Sequence, residues 1–130
     1  LLLVRNCHSE RSEESKSDSS ATPQNDKYKL IEYEADKRPI GFHLGKCLPF
    51  TNQKINLQKG DTLYIFTDGY ADQFGGPKGK KFKYKQFQQV LLSMQNELMP
   101  KQEEILLKIF KDWKGNLEQI DDMLVIGIRV

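Results

Sequence analysis

Four aspartates at the ends of two apolar runs are the residues best placed to do chemistry in this chain. Asp68 closes the run Thr62-Leu63-Tyr64-Ile65-Phe66-Thr67 and stands directly before Gly69, with Asp72 four residues later. Asp121 and Asp122 stand before Met123-Leu124-Val125-Ile126-Gly127-Ile128-Arg129-Val130. Each run is rich in β-branched, aromatic and other apolar residues and reads as a buried strand, and a strand end is a rigid mount for a ligand. Clustered carboxylates repel one another, and a hard divalent cation such as Mg²⁺, which takes oxygen donors, relieves that repulsion. A helical turn starting at Gly69 would bring Asp72 back beside Asp68. Adjacent strand residues point to opposite faces, so only one of Asp121 and Asp122 can share a cavity with Asp68. The same residues have an unreactive reading, with Asp68 a turn residue and Asp121-Asp122 the solvated start of a strand. Local pattern leaves both open.

The elements that must position these groups follow from periodicity. Tyr28, Leu30, Ile31 and Tyr33 predict a strand ending near Glu34, and Pro39-Ile40-Gly41 breaks it. Residues 50–57 alternate imperfectly, Lys59-Gly60-Asp61 is a turn signal, and residues 62–67 form the next strand. Together these predict a short antiparallel meander. Phe87, Val90, Leu91, Met94 and Leu98 recur at helical spacing, as do Ile105, Leu106, Ile109, Phe110 and Trp113. Pro100 suits the start of the second helix and Gly115 the position past its end. The last strand is expected over residues 123–130. The prediction is an α+β fold of antiparallel strands plus two helices that cover one sheet face, with Trp113 as a core anchor.

Composition bounds the rest. A chain of 130 residues makes one domain at most, and its formal charge of +2 is too small to argue for nucleic acid. No apolar run reaches the roughly 18 residues that span a bilayer. Cys7 and Cys47 have neither CxxC spacing nor the count of a disulfide scaffold, which points to a reducing cytoplasm. The chain opens at Leu1, without methionine and inside an apolar run, so it is expected to be a fragment with residues 1–6 as a strand remnant. Residues 7–27 hold almost no apolar side chains and are expected to be a disordered insertion. The stretch 7–15 resembles a translated intergenic repeat of bacterial genomes. Gly41-Phe42-His43-Leu44-Gly45-Lys46-Cys47 is not a P-loop: it has three residues between the glycines where four are needed, and Cys47 replaces the metal-binding Ser or Thr. Residues 75–85, with five lysines, read as a basic solvated loop that could also steer an acidic phosphopeptide.

Residues 60–72 resemble the GD-x-L-x-x-x-TDG-x-x-(D/E) motif of bacterial SpoIIE-like PPM phosphatases, relatives of protein phosphatase 2C. Asp121-Asp122-Met123-Leu124-Val125 resembles the closing DD-x-T-x-x motif, with Leu124 where threonine is usual, and Pro39-Ile40-Gly41 resembles the turn that precedes the GD motif. The resemblance implies a partial PPM-phosphatase β-sandwich flanked by helices, with residues 28–130 as the C-terminal part of the domain. It implies a metal-dependent serine/threonine phosphatase in bacterial signal transduction, using two Mn²⁺ or Mg²⁺ ions and a metal-activated water. In that reading Asp68 and Asp121 are metal ligands, Asp72 matches an accessory-ion position, and Gly69 and Asp122 are supporting residues. The partner is a phosphorylated protein, with an upstream sensor or regulatory domain and no nucleic acid or membrane.

One departure matters. The family's remaining bridging ligand, an aspartate followed by glycine on an upstream strand, has no match here, since neither Asp18 nor Asp26 precedes a glycine. The expectation is therefore a domain inactive by itself, with one face of its core exposed. The alternative is a pseudophosphatase remnant or protein-binding module in signalling.

Overall fold

Side-chain alternation decides which way each strand residue faces, and on the β3–β6 side it separates a buried from an exposed sheet face, whereas Leu3 of the central strand is buried on the outer face too. The computed structural model describes residues 1–6, 27–36 and 49–130. Four strands, β1 (Leu2–Asn6), β2 (Tyr28–Glu32), β3 (Thr62–Phe66) and β6 (Val125–Arg129), form one antiparallel sheet in the order β2-β1-β3-β6. Between β3 and β6 lie a one-turn helix α1 (Gly69–Asp72), a hairpin of β4 (Phe74–Gly75) and β5 (Lys80–Lys81), and the helices α2 (Tyr84–Ser93) and α3 (Met99–Lys114). No helix among the described residues is long and apolar enough to cross a membrane.

The inner sheet face carries Leu2, Val4 and Tyr64, which are buried against Phe87 and Leu91 of α2 and Leu106 and Phe110 of α3. Tyr70 and Phe82 complete this core from α1 and the hairpin. Tyr70 lies among the rings of Phe82, Phe87 and Phe110 at centroid distances of 5.3, 4.7 and 5.3 Å, in tilted and edge arrangements that favour aromatic contact. On the outer face, Leu63 pairs with Ile128 and Ile65 with Ile126. Ile65, Ile126 and Ile128 are 46%, 42% and 48% exposed, and β6 is the edge strand among the described residues.

Both long helices form where the apolar spacing predicts. Pro100 sits in the first turn of α3, and Gly115 ends that helix at φ 55°, where its N–H bonds the Lys111 carbonyl. Leu98, assigned above to the first helix, lies between the two and is exposed. A buried polar network ties this connection to the sheet. The Gln95 side chain donates to the Tyr64 hydroxyl, which in turn donates to Gln102, while Arg129 reaches the Gln95 and Glu97 carbonyls.

The expected meander is corrected. Residues 50–57 form no strand, and β1, drawn from the first residues, lies between β2 and β3. Phe50 and Leu57 stay exposed and only Ile55 is half-buried, so this stretch has little buried surface to repay regular pairing. The strand preceding the acidic motif therefore gets one of its partners from about 60 residues upstream. The Pro39-Ile40-Gly41 turn, His43, Cys47 and nearly all of the proposed 7–27 insertion lie outside the described residues.

Asp61, at the entry to β3, is a structural anchor. Its carboxylate is 1% exposed and receives Arg5 Nε at 3.0 Å and Arg5 Nη2 at 2.7 Å, with the Gln58 N–H at 2.9 Å. The Arg5 hydrogen bonds hold its pKa below the ordinary carboxylate value, against the opposing effect of burial. A depressed folded-state pKa gives stability that is present above the unfolded value of about 4 and is lost as pH falls through the folded one. Asp61→Asn should lower the thermal midpoint at pH 7 by roughly 5–10 °C and flatten the acid limb of a pH–stability curve, as followed by circular dichroism.

Candidate functional site

The two acidic motifs meet because β3 and β6 are paired neighbours, with Phe66 opposite Val125. Beyond that last pair, Thr67 continues the connection with both its backbone and its side chain. Its N–H bonds the Leu124 carbonyl at 3.0 Å, its hydroxyl donates to the Asp122 carbonyl at 2.8 Å, and the Leu124 N–H donates to that hydroxyl at 3.0 Å. A hydroxyl that donates and accepts at once is what this junction requires. Thr67 was read from sequence only as a strand residue, and its place in the TDG triplet was the available signal.

Gly69 brings the two segments into contact. A Cβ at this position would lie 2.5 Å from the Asp122 carbonyl oxygen and 3.4 Å from the Asp121 carbonyl carbon. The chain following Asp68 thus rests directly on the Asp121-Asp122 peptide. Asp121 and Asp122 do not open the last strand as expected but precede it, since β6 begins at Val125. Strand alternation therefore does not govern which of the two faces Asp68. Both are exposed, and the Asp122 N–H bonds Asp121 Oδ1 at 2.8 Å.

Asp68 is the residue before α1 and is exposed. Its side chain makes no capping hydrogen bond, so the helix does not consume its carboxylate. The predicted helical turn is present, with the Asp72 N–H on the Asp68 carbonyl at 2.9 Å. Asp72 is turned to the hairpin, where Lys81 Nζ lies 2.9 Å from its Oδ2. That hairpin, read above as a solvated loop, is docked: the Gly76 N–H bonds the Trp113 carbonyl and Trp113 Nε1 donates to the Gln73 carbonyl.

Residues 21–130 match the family described as Stage II sporulation protein E (SpoIIE). The chain belongs to the SpoIIE family. Among solved structures, the SiaA-PP2C domain of Pseudomonas aeruginosa is similar, with a TM-score of 0.60 and 29% sequence identity over 63% of this chain and 34% of that one. The chain thus spans about a third of that structure's length. No curated protein sequence matches it. Membership in the SpoIIE family makes this a domain of the phosphatase type, and the mixed α+β architecture agrees with a partial PP2C-like fold.

The donor set of this SpoIIE-family chain can be weighed against the ions that the resemblance implies. Among the described residues no group of three or more His, Cys, Asp or Glu side chains is placed to hold a metal ion. Two carboxylate-bearing segments in contact do not make a closed cage for a pair of ions, which need several oxygens each. A groove of about 460 Å³ lies between α3 and the approach to β6, lined by Tyr64, Met99, Leu106, Met123 and Val125 among others. Its lining is mainly apolar and includes none of the four aspartates.

Proposed function

We propose that this chain is part of a metal-dependent serine/threonine phosphoprotein phosphatase and supplies one half of its metal site. Asp68 and Asp121 are the ligands in this reading, Asp72 is an accessory-ion position, and Gly69 and Asp122 support the approach of the two segments. The observation that carries it is the close contact of Gly69 with the Asp121-Asp122 peptide, which joins two motifs 50 residues apart at one end of the sheet. The ions are Mn²⁺ or Mg²⁺, and the substrate is a phosphorylated protein in bacterial signalling, in the cytoplasm. Residues 28–130 are the C-terminal part of the domain, residues 7–27 an insertion, and control comes from an upstream sensor or regulatory domain. The apolar outer sheet face agrees with this, as a surface on which the rest of a two-sheet domain packs.

The described donors do not complete a two-ion site, so no hydrolytic step is assigned to this chain by itself. That shortfall equally favours a second reading, a pseudophosphatase that binds without cleaving. A Mn²⁺ titration with a p-nitrophenyl phosphate assay tests both. The chain should bind Mn²⁺ weakly, Asp68→Ala or Asp121→Ala should weaken binding at least about tenfold, and no turnover should exceed the buffer rate. Turnover abolished by Asp68→Ala would overturn the half-site reading. Binding unchanged in both variants would favour the pseudophosphatase.

A further inference from the structure

The hairpin and the start of α2 carry a concentration of positive charge that their surroundings do not offset. Residues 73–96 hold five lysines, Lys78, Lys80, Lys81, Lys83 and Lys85, and no acidic residue, in a chain of formal net charge +2. All five are exposed. Lys81 lies 2.9 Å from Asp72 Oδ2, whereas the other four enter no ion pair among the described residues. The first turn of α2 has no acidic side chain and no side-chain cap, so that end of the helix adds to the positive field. The backbone bearing these charges is fixed. The Gly76 N–H bonds the Trp113 carbonyl at 2.8 Å, the Phe82 N–H the Gln73 carbonyl at 2.9 Å, and the Lys83 N–H the Ala71 carbonyl at 2.8 Å. These bonds hold Lys83 at φ 74°, a left-handed conformation that a lysine adopts only under such constraint. Phe82 is buried between Lys81 and Lys83 and anchors the arm in the core.

We propose that the hairpin and the first turn of α2 form a docking surface for an acidic polypeptide segment of a partner protein. Charge complementarity carries the choice of partner. Four lysines without a counter-charge repel one another, and a carboxylate-rich segment removes that repulsion. A backbone already held in place costs less to bind than a loop that must first be ordered. The neighbourhood selects a peptide over a nucleic acid. The arm is bonded to α1, and Asp68, Asp121 and Asp122 stand exposed at the other end of that single turn. A nucleic acid carries a phosphate at every step and would be repelled there, whereas a peptide places its acidic side chains at the lysines alone. The proposal concerns binding, and it stands whether or not the chain takes part in phosphate ester cleavage.

Fluorescence anisotropy of a labelled oligoglutamate peptide, titrated with the full chain at low salt, tests this. Binding should weaken as salt is raised, since exposed charges are screened. Lys78→Gln, Lys80→Gln and Lys85→Gln combined should weaken it by about five- to thirtyfold, the scale of three exposed ion pairs. Lys54→Gln, Lys59→Gln and Lys108→Gln remove the same charge from other parts of the chain and should change binding less than about twofold. All six side chains are exposed, so both variants should keep the thermal midpoint of the parent. Equal weakening by the two sets would overturn the proposal, as would an unmodified chain that does not bind the peptide. Tighter binding of an oligothymidine of equal charge than of the peptide would overturn the choice of partner.

Discussion

Replacing Gly69 by alanine should separate the two acidic motifs and destabilise the domain by about 2–4 kcal/mol. The cost comes from contact, because the added Cβ would stand 2.5 Å from the Asp122 carbonyl oxygen and 3.0 Å from its carbonyl carbon. Backbone atoms cannot rotate out of the way as a side chain can. The Asp121-Asp122 segment must move, and the hydrogen bonds of Thr67 with Asp122 and Leu124 go with it. Overpacking of this kind costs about 1–3 kcal/mol, and each lost bond adds about 1 kcal/mol. Gly79→Ala is the matched control, with open space around the position and only a left-handed φ of 55° to strain, worth about 1–2 kcal/mol. Urea denaturation measures both. A Gly69→Ala variant within about 0.5 kcal/mol of the parent would show that the contact relaxes freely and does not hold the motifs together.

Phe87→Ala should cost about 3–5 kcal/mol, enough to remove most of the stability of a small domain. Phe87 is fully buried, with Phe66 at 5.0 Å and Tyr70 at 4.7 Å between ring centroids. Phe66 ends β3 and Tyr70 is the second residue of α1, so they flank the Thr67-Asp68-Gly69 corner on both sides. A cavity at Phe87 therefore loosens the mount of Asp68 as well as the core. Thermal unfolding should show a broad or missing transition, while Phe74→Ala, at a residue 37% exposed, should cost much less. A Phe87→Ala variant that melts within a few degrees of the parent would show that neighbouring side chains close the gap.

The local elements were legible because each carries its own signal. The strand around Tyr64 has alternating burial and β-branched composition, and the helices carry apolar spacing bounded by Pro100 and Gly115. The acidic motifs were legible as motifs, and the family followed from their order and spacing. Partnership was not legible. Nothing in Leu1 to Asn6 says that this strand lies between β2 and β3, because pairing is decided by surfaces far apart in sequence. Residues 50–57 showed the right residue types, but their contacts with the described residues run through side chains, Thr51 to Asp36 and Gln53 to the Glu34 carbonyl, and not through a strand ladder. Gln95 and Gln102 are buried without a sequence signal for it, since each finds hydrogen-bonding partners only after the helices have packed on Tyr64. The hairpin was missed for a similar reason: Trp113, forty residues from Gln73, holds it in place.

The position of β6 at the sheet edge sets how long the acidic corner persists. Asp121 and Asp122 owe their place to a five-residue strand that, among the described residues, is paired along one side. Edge strands are among the first segments to open in native-state fluctuations, at a free energy well below that of global unfolding. Each time β6 frays, the two halves of the corner part while the helical core stays intact. Anything that covered Ile126 and Ile128 or paired with that edge would therefore raise the free energy of that opening. By linkage, it would also keep the carboxylates together.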